Sequence, residues 1–189
     1  MSFHSNIIKA KLTDISALDG QPLAYIGIGS NLGSDSTNPQ QTLEQAFEAL
    51  KSLSASPIGV SSLWESQPID CPPGSPLFIN AVAVLAPRIS DPLALLRALQ
   101  EIELEFGRLR TGQRNAPRTL DLDLLSYGET VRSDEVLTLP HPRLHQRAFV
   151  VFPLLEISPD YRVPGTLLRL SELAHSLAEQ GLRKVGNNA

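Results

Sequence analysis

Apolar residues fall into short blocks along this chain, and their spacing switches between two periods. Leu23 to Ile28 is an apolar run that leads into Gly27, Gly29, Ser30, Asn31 and Gly33, the pattern of a strand entering a turn. From Pro39 to Leu53, the residues Leu43, Ala46, Phe47, Leu50 and Leu53 recur at helical spacing, with Asn38 placed to cap and Pro39 suited to the first helical position. Pro57 to Trp64 and Phe78 to Leu85 read as two strands, joined by a loop because the proline- and glycine-rich Pro68 to Pro76 cannot continue either one. After Asp91 and Pro92, the residues Leu93, Leu96, Leu99, Ile102 and Phe106 mark a second helix that Gly107 ends. Thr119 to Ser126 alternates, with Leu120, Leu122 and Leu124 on one side and Asp121 and Asp123 on the other, the period of a half-buried strand.

The order βαββαβ predicts an α+β fold with a ferredoxin-like core, in which two helices cover one face of an antiparallel sheet. Extra strands and C-terminal helices should add cover: an extended or hairpin piece around Val131 to Leu139, a helix near His145 to Leu155 and a last helix near Ser171 to Gln180. Residues 1–22 read as a mobile N-terminal extension and 23–189 as a single domain, since 189 residues are enough for one hydrophobic core and short for two.

At 42% hydrophobic and 19% charged, the composition is that of a folded globular chain. A net charge of −4 would repel nucleic acid and anionic membranes, so any anion site must be a local cluster of positive charge. The single cysteine, Cys71, excludes an internal disulfide and, with no secretory apolar segment in the first 22 residues, leads to the expectation of a cytoplasmic protein. The longest apolar stretch, around Ala148 to Leu155, is broken by Pro153 and is far shorter than a membrane span.

Candidate chemistry centres on Arg118, Thr119, Leu120, Asp121, Leu122, Asp123. Strand alternation puts the two aspartates on one face with Cα atoms ~6–7 Å apart, close enough to share metal ions. A carboxylate pair suits Mg²⁺, which fills its octahedron with waters and phosphate oxygens. An isolated pair of this kind is more often a solvent-facing edge, but here Arg108, Arg110, Arg114 and Arg118 stand immediately upstream among Gly107, Gly112 and Pro117. Arginine forks bind phosphate oxygens, so a basic loop beside a metal-ready pair suits ATP. His141, between Pro140 and Pro142, and Arg147 could add donors. Gly27, Gly29 and Gly33 are spaced GxGxxxG, which is no dinucleotide fingerprint and reads as a tight turn. His4, His145 and His175 show no zinc spacing, and Cys71 has no activating partner.

The run RNAPRTLDLDLL from Arg114 to Leu125 closely resembles the signature of the 6-hydroxymethyl-7,8-dihydropterin pyrophosphokinases of folate biosynthesis. AYIGIGSNLG, FINAVAVL and LTLPHPRLHQRAFVVFPLLEI agree with the same family, so the resemblance covers roughly Ala24 to Gly165. It implies transfer of the terminal diphosphate of ATP to the hydroxymethyl oxygen of a reduced pterin, with release of AMP. By the same resemblance, Asp121 and Asp123 bind two Mg²⁺ ions and Arg108 and Arg118 contact the phosphates as catalytic residues. Arg110, His141 and Arg147 make further nucleotide contacts, and Gln100, Glu103 and Thr138 line the adenosine side. Phe78 and Phe149 sandwich the pterin while Asn80 reads its edge. Two positions depart from well-known members: Asn115 stands for a tryptophan of the catalytic loop, and Pro142 for a tyrosine after the histidine.

Two other readings compete. Ferredoxin-like domains include RNA-recognition modules, but the negative charge, the paired aspartates and a third strand whose start is marked by Phe78 alone argue against one. A Mg²⁺-dependent nucleotidyltransferase could use the same aspartates and would release pyrophosphate in place of AMP. The expected partners are ATP and the pterin, with no nucleic acid, membrane or obligate protein partner, and the sequence identifies no general base.

Overall fold

The computed structural model describes residues 20–33, 37–108 and 117–186. Strand β1 (Ala24–Ser30) is central, paired antiparallel with β4 (Phe78–Leu85) on one side and β5 (Asp121–Tyr127) on the other. It extends two residues past the expected end at Ile28, because Gly27 and Gly29 stay extended and pair with both neighbours. Beyond β4 lie β2 (Gly59–Val60) and β3 (Trp64–Ser66), and β8 (Arg183–Lys184) closes that edge against β3. With β2 and β3 taken as one interrupted strand, the spatial order is fourth, first, third, second, as the βαββαβ reading requires.

The interruption was not expected, since Pro57 to Trp64 read as one strand. Val60 faces Ala83 but Trp64 faces Asn80, so one extra residue is accommodated between them. Within this bulge the Ser61 hydroxyl accepts the Val82 N–H at 3.0 Å, and the Ser62 N–H turns out of the ladder to the Glu156 carboxylate at 2.9 Å.

Helix α1 (Pro39–Lys51) starts at an Asn38 capping box completed by Gln41, with Pro39 in the first turn. Helix α2 (Pro92–Glu105) is capped by Asp91, whose carboxylate accepts the Leu93 and Ala94 N–H groups. Their buried faces, Leu43, Phe47, Leu50, Leu95 and Leu99, meet Ile26, Ile28, Ala83, Leu122 and Leu124 from one face of the sheet.

Among the described residues the opposite face is covered over only part of its length. Helix α3 (Ala148–Ile157) lays Val150, Val151 and Leu154 on Tyr25, Val82, Val84 and Leu125. It begins three residues later than expected, because Leu144–Gln146 forms a separate 3-10 turn. The expected last helix is broken into the short α4 (Ala174–Leu177) between two 3-10 turns and stops at Gly181 in the left-handed region. From there Gln180 reaches back, its side-chain oxygen accepting the first N–H of α3 at Ala148 (2.9 Å). The Val131 to Leu139 region forms a small hairpin of β6 (Arg132–Ser133) and β7 (Thr138–Leu139).

A second bulge shapes the site. Ile26 faces Leu124 and Tyr25 faces Ser126, which leaves Leu125 as the extra residue of β5. The Leu125 carbonyl accepts the His141 N–H at 2.8 Å, bringing the segment after β7 onto the sheet.

Candidate active site

Where α3 stops covering the sheet, a cleft of about 230 Å³ opens. Its floor is made of strand positions on the α3 side of the sheet: Gly27 and Gly29 of β1, Asp121 and Asp123 of β5, and Phe78 and Asn80 of β4. Gly29 lies opposite Asp121, and Gly27 opposite Asp123. With no side chain on β1 between them and β4, both carboxylates are open to the cleft. The glycines read from sequence as a tight turn are thus the bare floor of the cavity.

Arginines surround the pair. Asp121 Oδ1 accepts hydrogen bonds from Arg108 at 2.7 Å and from Arg118 at 3.1 Å, and Arg147 lies 3.7 Å from Asp123. Arg143 also lines the cleft, 3.6 Å from Asp70 on the loop between β3 and β4. Among the described residues the buried Arg118 Nε has no hydrogen-bond partner. Enclosure by protein pushes Asp123 up to about 6, and repulsion from Asp121 adds to the rise, while Arg147, Arg118 and Arg108 oppose it.

His141 is driven down to about 4, mostly by burial, with Arg147 and Arg143 repelling its charged form. Its ring is therefore neutral near pH 7. Because Nδ1 accepts the Arg143 N–H at 3.2 Å, the proton sits on Nε2, which makes this histidine a donor.

On the other side of the floor, Asn80 is 4% exposed and its amide nitrogen donates to Ser66 Oγ at 3.0 Å. That bond fixes the side-chain orientation and directs Oδ1 towards the open space above Gly29. Phe78 and Phe149 both line the cleft, Phe149 from the first turn of α3 with the Arg147 guanidinium 5.4 Å from its ring centre.

Of the residues expected from sequence, Arg108, Arg118, Asp121, Asp123, His141, Arg147, Phe78, Asn80 and Phe149 all line this one cavity. Glu103, Gln100 and Thr138 do not. Glu103 is buried beneath the floor, where its carboxylate accepts the Leu122 N–H at 2.7 Å and pairs with Arg108. Gln100 and Thr138 are half-buried on α2 and β7. Arg110, Arg114 and Asn115 lie outside the described residues. Arg143 and Ser66 were not singled out from sequence. Arg143 belongs to the PHPRL run and differs from its neighbours in no local signal, and Ser66 ends a strand whose bulge no pattern announced.

Among the described residues, no three His, Cys, Asp and Glu side chains gather around one point. The oxygen donors are the two aspartates, and two carboxylates fit a hard cation that completes its shell with water and phosphate oxygens. Fold and site together define a ferredoxin-like α+β domain with an anion-attracting cleft at one end of its sheet.

The family model for 7,8-dihydro-6-hydroxymethylpterin-pyrophosphokinase (HPPK) matches residues 25–159. A Haemophilus influenzae protein named 2-amino-4-hydroxy-6-hydroxymethyldihydropteridine pyrophosphokinase is 40% identical over 163 residues, covering 86% of this chain and 97% of that protein. A Pseudomonas aeruginosa protein of the same name is 39% identical over 162 residues, covering 85% and 95%. The fold also matches a Plasmodium falciparum HPPK-DHPS crystal structure with a TM-score of 0.63 at 14% identity, over 82% of this chain and 44% of that longer one. The chain belongs to the HPPK family.

Proposed function

We propose that this chain transfers the terminal diphosphate of ATP to the hydroxymethyl oxygen of 6-hydroxymethyl-7,8-dihydropterin, releasing AMP, as a step of folate synthesis. Family membership and the names of its relatives support the activity. The observation that carries the assignment of residues is the juxtaposition, in one cleft, of paired carboxylates under arginines with an aromatic and amide border.

In this reading the pterin lies against Phe78 and Phe149, with its donors read by Asn80 Oδ1. ATP takes the arginine side, its phosphates meeting Arg108, Arg118 and Arg147 and the His141 Nε2 proton. Asp121 and Asp123 would hold Mg²⁺, with two ions the number assigned here, and the metal would neutralise charge on the transferring group. On ligand binding the arginines would exchange Asp121 and Asp123 for phosphate oxygens, which would free both carboxylates to hold the cation. The pterin hydroxyl oxygen then forms its bond to the β-phosphorus as the bond from that phosphorus to the oxygen of AMP breaks, and the hydroxyl proton passes to water. The working unit is residues 23–189 as a single domain. Among the described residues no helix is long and apolar enough to cross a membrane, and the cytoplasm is the assigned location.

The test is incubation with ATP, Mg²⁺ and the dihydropterin, followed by separation of the nucleotide products. Pterin-dependent AMP without free pyrophosphate is the expected result, abolished by chelation. Release of pyrophosphate would favour a nucleotidyltransferase, and ADP would mean transfer of a single phosphoryl group.

A further inference from the structure

The turn that leaves β1 contains a buried amide that serves neither as a cap nor as part of the cleft wall. Asn31 is 3% exposed. Its Oδ1 accepts the Arg118 N–H at 2.9 Å, while its own N–H and that of Leu32 both donate to the Arg118 carbonyl at 3.2 Å. Both backbone hydrogen-bonding groups of Arg118 are therefore taken up by the Asn31–Leu32 turn. The side chain imitates a strand neighbour, supplying the acceptor that a ladder carbonyl would supply, at a point just before β5 where Arg118 has no such neighbour. The fourth contact runs the other way: Asn31 Nδ2 donates to the Pro76 carbonyl at 3.4 Å, two residues before Phe78.

We propose that Asn31 is the positioning residue for Arg118, and that through Pro76 it also sets the entry of the strand carrying Phe78 and Asn80. The inference rests on the pyrophosphokinase reading above and adds to it a residue that touches no substrate. Arg118 meets Asp121 at 3.1 Å while its Nε stays unpaired among the described residues. A guanidinium that must stabilise a moving charge loses much of its effect with a displacement of about 1 Å, so what fixes its backbone governs the chemical step. The two arms of the amide have separable consequences. Losing the Oδ1 arm frees Arg118 and slows turnover, whereas losing only the Nδ2 arm loosens the approach to β4 and weakens pterin binding.

The experiment measures kcat, and KM for ATP and pterin, by AMP formation in the full chain, for Asn31→Ala, Asn31→Asp, Arg118→Ala and the Asn31→Ala/Arg118→Ala double variant, with thermal melts alongside. Asn31→Ala should lower kcat about tenfold or more with KM for ATP changed by less than about threefold, and should add less than about threefold when Arg118 is already alanine. Asn31→Asp keeps the acceptor and turns an oxygen, in place of the Nδ2 donor, against the Pro76 carbonyl, so it should keep kcat within about threefold of the parent and raise KM for the pterin. Losses from Asn31→Ala and Arg118→Ala that multiply independently would overturn the proposal, as would a kcat in Asn31→Asp as low as that of Asn31→Ala. If Asn31→Ala fails to fold, Asn31→Ser, which shortens the acceptor arm and removes the Nδ2 donor, takes its place in the same cycle with Arg118→Ala. A parent chain that forms no AMP sinks the activity and this inference together, whereas an active parent with indifferent Asn31 variants sinks the inference alone.

Discussion

Glu103 grips Arg108 from below the cleft floor, and the same carboxylate oxygen accepts the Leu122 N–H at 2.7 Å. Arg108 in turn reaches Asp121 at 2.7 Å, so a buried acid on α2 aims an arginine at the candidate metal-binding face of β5. Burial raises the Glu103 pKa, with Asp121 and Asp123 adding to the rise and Leu122 and Arg108 opposing it. The charge is thus costly to the fold and useful to Arg108. Glu103→Gln retains an acceptor for Leu122 and removes the charge. It should reduce kcat by about tenfold to a hundredfold, the size of a charge-assisted hydrogen bond, with little loss of melting temperature. Steady-state kinetics and a thermal melt check this, and a destabilised protein of normal activity would make Glu103 a purely structural acid.

Asp123 should trade stability for function. Its folded pKa, about 6, lies above the unfolded value, so the folded state takes up the proton first and the ligand-free protein gains stability as pH falls through 6 towards 4. Asp123→Asn should therefore raise the ligand-free melting temperature at pH 7.5, with an advantage that shrinks towards pH 5, and should show no turnover. Added Mg²⁺ and ATP should stabilise the parent and not the variant. A variant that melts lower at pH 7.5 contradicts the assignment.

His141 should be silent in the same range. Held near 4, it carries no charge from pH 5.5 to 8, so its imidazole resonances in a pH titration should stay constant there. A His141 signal titrating near 6.5 would mean that the ring is not buried beside Arg147 and Arg143.

Arg143 spans the cleft mouth to Asp70, and both side chains are substantially exposed, so the pair itself is worth little. Its value lies in the charge it offers a phosphate. Arg143→Ala should raise KM for ATP by roughly three- to tenfold and leave kcat near the parent value. An unchanged KM would reduce Arg143 to a rim residue.

Much of this molecule could be read from periodicity. The capping signals at Asn38 and Asp91 mark where the helices begin, and the alternation from Leu120 to Leu124 places both aspartates on the correct face. What stayed hidden depends on contacts distant in sequence. The bulges at Ser61 and Leu125 are defined by partners in other strands, and Glu103 is separated from the cleft by a layer of structure that its helical position does not disclose. Asn31 looked like a turn residue because its partners, Arg118 and Pro76, are dozens of residues away. Gly27 and Gly29 were misread for a related reason: their role is the space they leave.

That space makes Gly29 a point where identity and durability part company. A β-carbon there would lie 3.4 Å from Asn80 Oδ1 and 3.8 Å from the Phe78 ring, ordinary contact distances that the scaffold can absorb. A methyl group in that position would nonetheless occupy the ground beside the amide and the Phe78 ring that the proposed pterin site requires. Gly29→Ala should melt close to the parent and bind the pterin poorly. A lineage could thus give up this ligand, or exchange it for a thinner one, by a single substitution while inheriting the architecture unchanged.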